Sequence, residues 1–130
     1  MRREAYNWLK EAMVDLERAI RSFKDKDYAL SVFLSQQACE KALKALIISL
    51  LRKSPPKTHD LVRLYRELQE KVVFNEDIIE KLPEVSQYYI TARYPNAALE
   101  LPSESISEEQ ASRALSVAEV IINEAKRKIS

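Results

Sequence analysis

The fold is decided by the stretch Ser35–Leu51, which reads SQQACEKALKALIISLL. The stretch begins with polar residues, becomes almost wholly apolar, and shows no period-two alternation typical of a half-buried strand. It therefore predicts a helix, which we place at about residues 28–53. At about 100° per residue, five polar side chains near its start fall within one arc of about 140°: Gln36, Gln37, Glu40, Lys41 and Lys44.

This polar arc has two interpretations. It is bordered by Phe33 on one side and by Ile48 and Leu51 on the other, whereas a solvated face usually stays polar along its whole length. Glu40 and Lys44 form a favourable i,i+4 pair on an exposed face. The alternative is a polar recess with apolar contacts around it. The bordering apolar residues could fill the monomer core or form a self-complementary dimer surface.

The remaining segments also have helical patterns. Apolar residues at helical spacing predict a first helix at about 2–24, and Asp27 is placed to cap the second helix. The prolines of SPP at 54–56 end that second helix, and Thr58 is a candidate cap for a third. Asn75 is placed to cap a short helix to about Lys81.

The last third of the chain is divided by prolines. We expect Pro83 to open a further helical segment, Pro95 to end it, and residues 95–106 to be irregular. SEEQ at 107–110 is a capping box for a last helix that reaches about Lys128. The sequence thus predicts one all-α domain over residues 1–130, an antiparallel bundle of three long helices plus two shorter segments.

Composition excludes several classes of function. The net charge is +1, so no global field draws the chain to nucleic acid or to a membrane. The chain lacks glycine, on which Rossmann and P-loop phosphate cradles depend, and we expect no cofactor. With Cys39 as the single cysteine, we expect a buried thiol and no metal site. The longest apolar run is too short to span a bilayer, so we expect a cytoplasmic protein.

Two further segments carry candidate functional residues. His59, the only histidine, stands just inside a predicted helix start, where it could simply bond to the backbone or to Asp60. QYYITARYPN at 87–96 places Tyr89 and Arg93 on one helical face, with Tyr94 beside them. An arginine held by aromatic rings can bind a phosphate in bidentate fashion. Alternatively, the tyrosines belong to the core and Arg93 pairs with a carboxylate such as Glu40.

Three of these stretches, in their order and spacing, resemble the HEPN (higher eukaryotes and prokaryotes nucleotide-binding) domain. They are FLSQQACEKALKALI, THDLVRL and YYITARYP, and the resemblance runs from DLERAI at 15–20 to the last helix. It implies a small helical bundle, often a homodimer, that works beside a nucleotidyltransferase partner in toxin–antitoxin modules. It also implies that polar residues of the second long helix contribute to a cleft. The residues expected to bind nucleotide, RNA or a partner are Gln37, Glu40, Lys41, Lys44, Tyr89, Arg93 and Tyr94.

Many members of the family are metal-independent RNases with an arginine followed, after four to six residues, by a histidine. After Arg93 the corresponding positions hold Ala98, Leu99 and Glu100. Arg52 and His59 have the right spacing but stand too early in the chain, so we regard this match as fortuitous. We therefore expect a binding protein. The first alternative is an RNase toxin with His59 and Arg93 as catalytic residues, and the second is a helical scaffold with no ligand.

Overall fold

The computed structural model describes residues 2–94 and 101–129, which form an all-α antiparallel bundle, as predicted. No β-strand occurs in these two ranges. A π-helical turn, Ile47–Leu51, follows the second helix directly. The α-helices are α1 (Arg2–Lys24), α2 (Tyr28–Leu46), α3 (Leu61–Leu68), α4 (Glu76–Thr91), α5 (Pro102–Ser105) and α6 (Glu108–Lys128).

Helix α2 lies at the centre of the bundle and packs against α1, α3, α4 and α6. Cys39 is fully buried on it, as expected, and burial raises the pKa of its thiol. Ile48 belongs to the monomer core, and Leu51 packs against that core. Over the described ranges, no helix is both long and apolar enough to cross a bilayer.

Three helix starts, those of α2, α4 and α6, have the capping residues expected from the sequence. Asp27 accepts from the amide of Leu30 at 3.3 Å, and Asn75 accepts from the amide of Ile78 at 3.0 Å. Ser107 and Gln110 form the reciprocal capping box of α6. Each cap satisfies amide hydrogens that the first helical turn cannot pair internally. The bounds of α1 and α6 agree with the predicted ones.

The end of the second helix and the start of the third differ from the prediction. Regular α-helix stops at Leu46, and the chain leaves the π-helical turn through Arg52, whose φ of 52° is left-handed. Asp60, not Thr58, caps α3, because its carboxylate accepts from the amide of Val62 at 3.0 Å. The Thr58 hydroxyl accepts from the amide of Asp60 instead. His59 therefore precedes the helix and does not stand inside its first turn.

Pro83 does not separate two helical segments, since it lies inside the continuous helix α4. Its ring is exposed, while Ile78, Leu82 and Val85 on either side of it are buried. Their packing offsets the hydrogen bond that proline removes. Within residues 2–94 and 101–129, the bundle therefore has four long helices. The expected irregular stretch includes the one-turn helix α5. The stop at Pro95 lies outside the described residues.

A side-chain cluster fixes α4 against α6 and so positions the end of α4. Arg113 donates to both carboxylate oxygens of Glu84, at 3.0 and 2.8 Å, and Tyr88 donates to Glu84 at 2.8 Å. The guanidinium of Arg113 lowers the pKa of Glu84. Burial, and then the hydrogen bond to Glu84, raise the pKa of Tyr88. Tyr89 lies in the last turn of α4, and Arg93 follows just after the end of the helix.

Candidate functional site

A buried carboxylate, that of Glu40, forms the centre of the candidate site. Its side chain is 7% exposed. Oε1 lies 3.0 Å from Nδ1 of His59 and accepts from Nε2 of Gln36 at 3.3 Å, while Oε2 accepts from Nζ of Lys44 at 2.8 Å. Buried charge is tolerated only when it is paired and hydrogen-bonded in this way. We therefore assign the Nδ1 proton to the contact with Glu40, which makes Nε2 an acceptor in the neutral imidazole.

Gln36 fixes the position of the segment that carries His59. Its Nε2 donates to the carbonyl oxygen of His59 at 2.9 Å, and its Oε1 accepts from Nε2 of Gln37 at 2.8 Å. Gln36 is fully buried, so these bonds satisfy an amide that burial would otherwise penalise. The backbone and the ring of His59 are thus both held by side chains of α2.

The imidazole of His59 stacks on the ring of Tyr89. The two centroids are 3.7 Å apart and the planes differ by 12°. Tyr89 in turn lies beside Phe33, with 6.2 Å between ring centroids. The Tyr89 ring therefore links the histidine segment to α2 through one aromatic cluster.

Arg93 lies against the same aromatic cluster. Its Cζ is 5.1 Å from each of three ring centroids, those of Phe33, Tyr89 and Tyr94. These are cation–π distances. Within residues 2–94 and 101–129, no carboxylate is within ion-pair distance of this guanidinium, and the residue is exposed. Its N–H donors are available for an external anion. The alternative of an Arg93–Glu40 ion pair is not what the structure shows.

The polar arc of α2 divides into two groups. Gln36, Glu40 and Lys44 are buried, contrary to a solvated face. Lys41 turns away from Glu40 and donates to Asp15 of α1 at 2.6 Å. The side chain of Asp15 is 6% exposed. This second pair joins α1 to α2. It does not reach Arg93 and the rings of Phe33, Tyr89 and Tyr94, which we call the Arg93 cluster. Lys41 is therefore outside the group of predicted site residues that converge.

The structure brings together most of the residues selected from the sequence. Glu40 and Lys44 of α2 meet His59 and, through it, Tyr89 and Arg93. Tyr94 contacts Arg93, and Gln37 contacts the site through Gln36. Arg52 is exposed and forms no hydrogen bond or ion pair with His59 among the described residues. The second Arg–His spacing therefore has no structural counterpart there.

Three residues of this region were not selected from the sequence: Trp8, Asp15 and Gln36. Nζ of Lys44 lies 5.5 Å from the ring centroid of Trp8, which brings α1 to the edge of the site. Asp15 had a sequence signal, since it interrupts an apolar stripe that includes Ala12 and Ala19. Gln36 was within the polar arc. Trp8 had no signal, because its contact depends on how α1 lies across α2.

A groove of 410 Å³ adjoins the imidazole of His59. Its wall combines α1, α2 and the segment before α3. In the part of the chain that the structure describes, no group of three His, Cys, Asp or Glu residues is arranged to hold a metal ion. The groove is lined by Glu4, Trp8, Lys44, Ser54, Pro55, Pro56, Lys57, Thr58 and His59.

Comparisons with known proteins bear on the fold of the chain as a whole. The sequence model of the HEPN domain matches residues 5–129. The crystal structure of TT1696 from Thermus thermophilus is 35% identical, with a TM-score of 0.85 over 98% of this chain and 99% of that one. ST0689, described as an archaeal HEPN homologue, is 28% identical, with a TM-score of 0.78 over 98% of each chain. No curated protein matches the chain.

Proposed function

We propose, from the premise that this chain belongs to the HEPN domain family, that it binds a nucleotide or RNA at the surface of His59, Tyr89 and Arg93. The phosphate contacts Arg93 and the base or ribose lies near the aromatic rings. Glu40 holds the ring of His59, and Gln36 holds its backbone carbonyl. Gln37 and Lys44 support the site from α2 and do not contact this nucleotide, and Lys41 lies outside the site.

The environment of Arg93 is the single observation that carries this proposal. Three aromatic rings surround the guanidinium at 5.1 Å each, and the described residues provide no carboxylate partner. An arginine that is held on rings and lacks an internal anion has its planar donor edge available, and that edge matches two phosphate oxygens. The neighbouring tyrosines add surfaces on which bases stack.

Binding to a short fluorescein-labelled oligoribonucleotide, followed by fluorescence anisotropy, tests the proposal. We expect the intact protein to saturate and Arg93→Ala to bind at least about tenfold more weakly, since a charge-assisted phosphate contact is lost. Arg93→Lys should retain part of the affinity. Arg21→Ala, which removes an exposed arginine at the end of α1, is the matched control and should bind normally. If the intact protein does not bind, or if both Ala variants bind alike, the proposal fails.

A second function, metal-independent RNA cleavage, is favoured by the contact between Glu40 and His59. A carboxylate on Nδ1 orients the ring and leaves Nε2 as the atom that takes a proton, here from a ribose 2′-hydroxyl. The 2′-oxygen then bonds to the adjacent phosphorus, the P–O5′ bond breaks, the 5′-oxygen takes a proton from water, and Arg93 stabilises the charge on the phosphate. The side chain of His59 is 52% exposed, so RNA can reach it. Cleavage in excess EDTA that His59→Ala abolishes supports this function, whereas cleavage that survives in His59→Ala refutes it.

Assembly is a further part of the proposal. We propose a homodimer, supported by exposed apolar side chains at the end of α4, Ile90 and Tyr94, next to the site. A nucleotidyltransferase partner within a toxin–antitoxin module is proposed on the family resemblance. Light scattering on the purified chain tests the dimer, and a monomer at micromolar concentration refutes it. Co-expression followed by size-exclusion chromatography tests the partner.

A further inference from the structure

The 410 Å³ groove beside His59 has the size of a ligand site. Pockets for small molecules have volumes of about 300–1,000 Å³. The groove is separate from the Arg93 cluster, since Tyr89 and Arg93 do not line it. His59 lines the groove and stacks on Tyr89. The groove therefore adjoins the Arg93 cluster at His59.

The chemistry of the groove wall fits one nucleotide unit. Trp8, Pro55 and Pro56 provide compact apolar surfaces against which a planar base packs. Lys44 and Lys57 provide amines for a phosphate. The Nζ of Lys44 is already neutralised by Glu40 at 2.8 Å, so the exposed Lys57 is the principal cation for the ligand.

The one acidic residue along this wall is Glu4. Glu4 belongs to α1 and lines the same groove as these apolar and basic groups. A carboxylate repels phosphate but accepts hydrogen bonds from exocyclic amino groups of bases. We therefore place the base beside Glu4 and the phosphate beside Lys57.

We propose that this groove is a second nucleotide subsite, so that the ligand is a single RNA strand of at least two nucleotides. The inference rests on the proposed function, because the first nucleotide occupies the surface of His59, Tyr89 and Arg93. The base of the neighbouring nucleotide packs against Trp8 and the prolines, and its phosphate lies near Lys57. A duplex keeps its bases stacked and paired, so only a single strand can supply a base to the groove.

Isothermal titration calorimetry with 5′-phosphorylated mononucleotides and the matching dinucleotides, each with all four bases, tests this inference. Stacking a second base on an aromatic surface strengthens binding by at least about fivefold. We expect that gain for dinucleotides on the intact protein. Trp8→Ala should abolish the gain and leave mononucleotide affinity within about twofold, and Lys57→Ala should reduce the gain. The controls are Tyr6→Ala, an exposed aromatic of α1, and Lys71→Ala, an exposed lysine.

The outcomes separate the two proposals. If mononucleotides bind and dinucleotides bind no more tightly, the second subsite is refuted and the proposed function stands. If Trp8→Ala weakens both ligands equally, the groove is not a separate subsite, and the inference is again refuted. If no nucleotide binds, both proposals fail. Because Trp8 also packs against the core, circular dichroism must show folded protein, and Lys57→Ala in an exposed segment provides the independent variant.

Discussion

Nδ1 of His59 lies 3.0 Å from Oε1 of Glu40, although the two residues are 19 positions apart in the sequence. The carboxylate comes from the buried face of α2, whereas the imidazole comes from the segment before α3 and stacks on Tyr89 of α4. Together with the Tyr89 ring, this pair joins three segments of the chain. The pair fixes the ring orientation on which the proposed binding and the proposed proton transfer both depend.

Replacing Glu40 should be far more costly than replacing a surface glutamate. Glu40→Ala leaves the amine of Lys44 buried without its anion, and we expect a loss of about 3–5 kcal/mol in the free energy of unfolding. Glu40→Gln keeps the shape and should lose less. The control is Glu67→Ala, which removes a more exposed partner of Lys53 and should cost about 1 kcal/mol or less. Equal losses in urea unfolding for the two alanine variants would show that Glu40 has no central role.

The stack between His59 and Tyr89 should contribute to ligand binding through the ring and not through the hydroxyl. Tyr89→Phe keeps the aromatic face that contacts both His59 and Arg93, so its oligoribonucleotide affinity should stay near that of the intact protein. Tyr89→Ala should weaken binding about two- to tenfold, the usual value of an aromatic contact. Anisotropy titrations measure both. A large loss in Tyr89→Phe would instead assign the effect to the hydroxyl.

The cap at Asp60 should be the stability determinant at the start of α3. Its carboxylate accepts from the amides of Val62 and Arg63 at 3.0 and 3.4 Å. Asp60→Ala should therefore cost about 1 kcal/mol in chemical denaturation, and Asp60→Asn should recover most of it. Thr58→Ala is the comparison, because the sequence alone placed the cap at Thr58. If Thr58→Ala is the more costly of the two alanine changes, the observed cap assignment is wrong.

The Glu84–Arg113 contact should make stability fall in acid. Arg113 lowers the folded-state pKa of Glu84, so the contribution is present above the ordinary glutamate pKa of about 4.3 and is lost as pH falls through the lowered value. Glu84→Gln should therefore lower Tm at pH 7, and its difference from the intact protein should shrink in stronger acid. Glu80→Gln, an exposed change on the same helix, is the control. A Tm difference that does not depend on pH would contradict the assignment.

Much of the fold was predictable because it depends on local signals. The capping side chains Asp27, Asn75 and Ser107 act on amides within three residues, so their sequence positions suffice. The prolines were harder to interpret. Pro83 was interpreted as a boundary between two helices, yet α4 is continuous because the residues on both sides of Pro83 are buried. The π-helical turn after Leu46 also had no local signal.

The candidate site was predictable only as a set of residues. Spacing placed Glu40 and Lys44 on one face and Tyr89 with Arg93 on another, and the family resemblance indicated that these segments meet. The pairings themselves are non-local. Lys41 and Asp15 are 26 positions apart, so which carboxylate each lysine of α2 contacts depends on the packing of α1. The exposure of the polar arc likewise depended on packing around α2.

The central claim is that nucleotide or RNA binds where His59, Tyr89 and Arg93 meet. The single histidine makes an NMR titration the most direct test, because one imidazole signal reports on the site without ambiguity. We predict that adding a short oligoribonucleotide shifts the His59 imidazole and Tyr89 ring signals in a saturable way, and that Arg93→Ala suppresses those shifts. Unchanged His59 and Tyr89 signals, with shifts confined to the separate groove lined by Arg66, Gln69 and Val73, would contradict the claim.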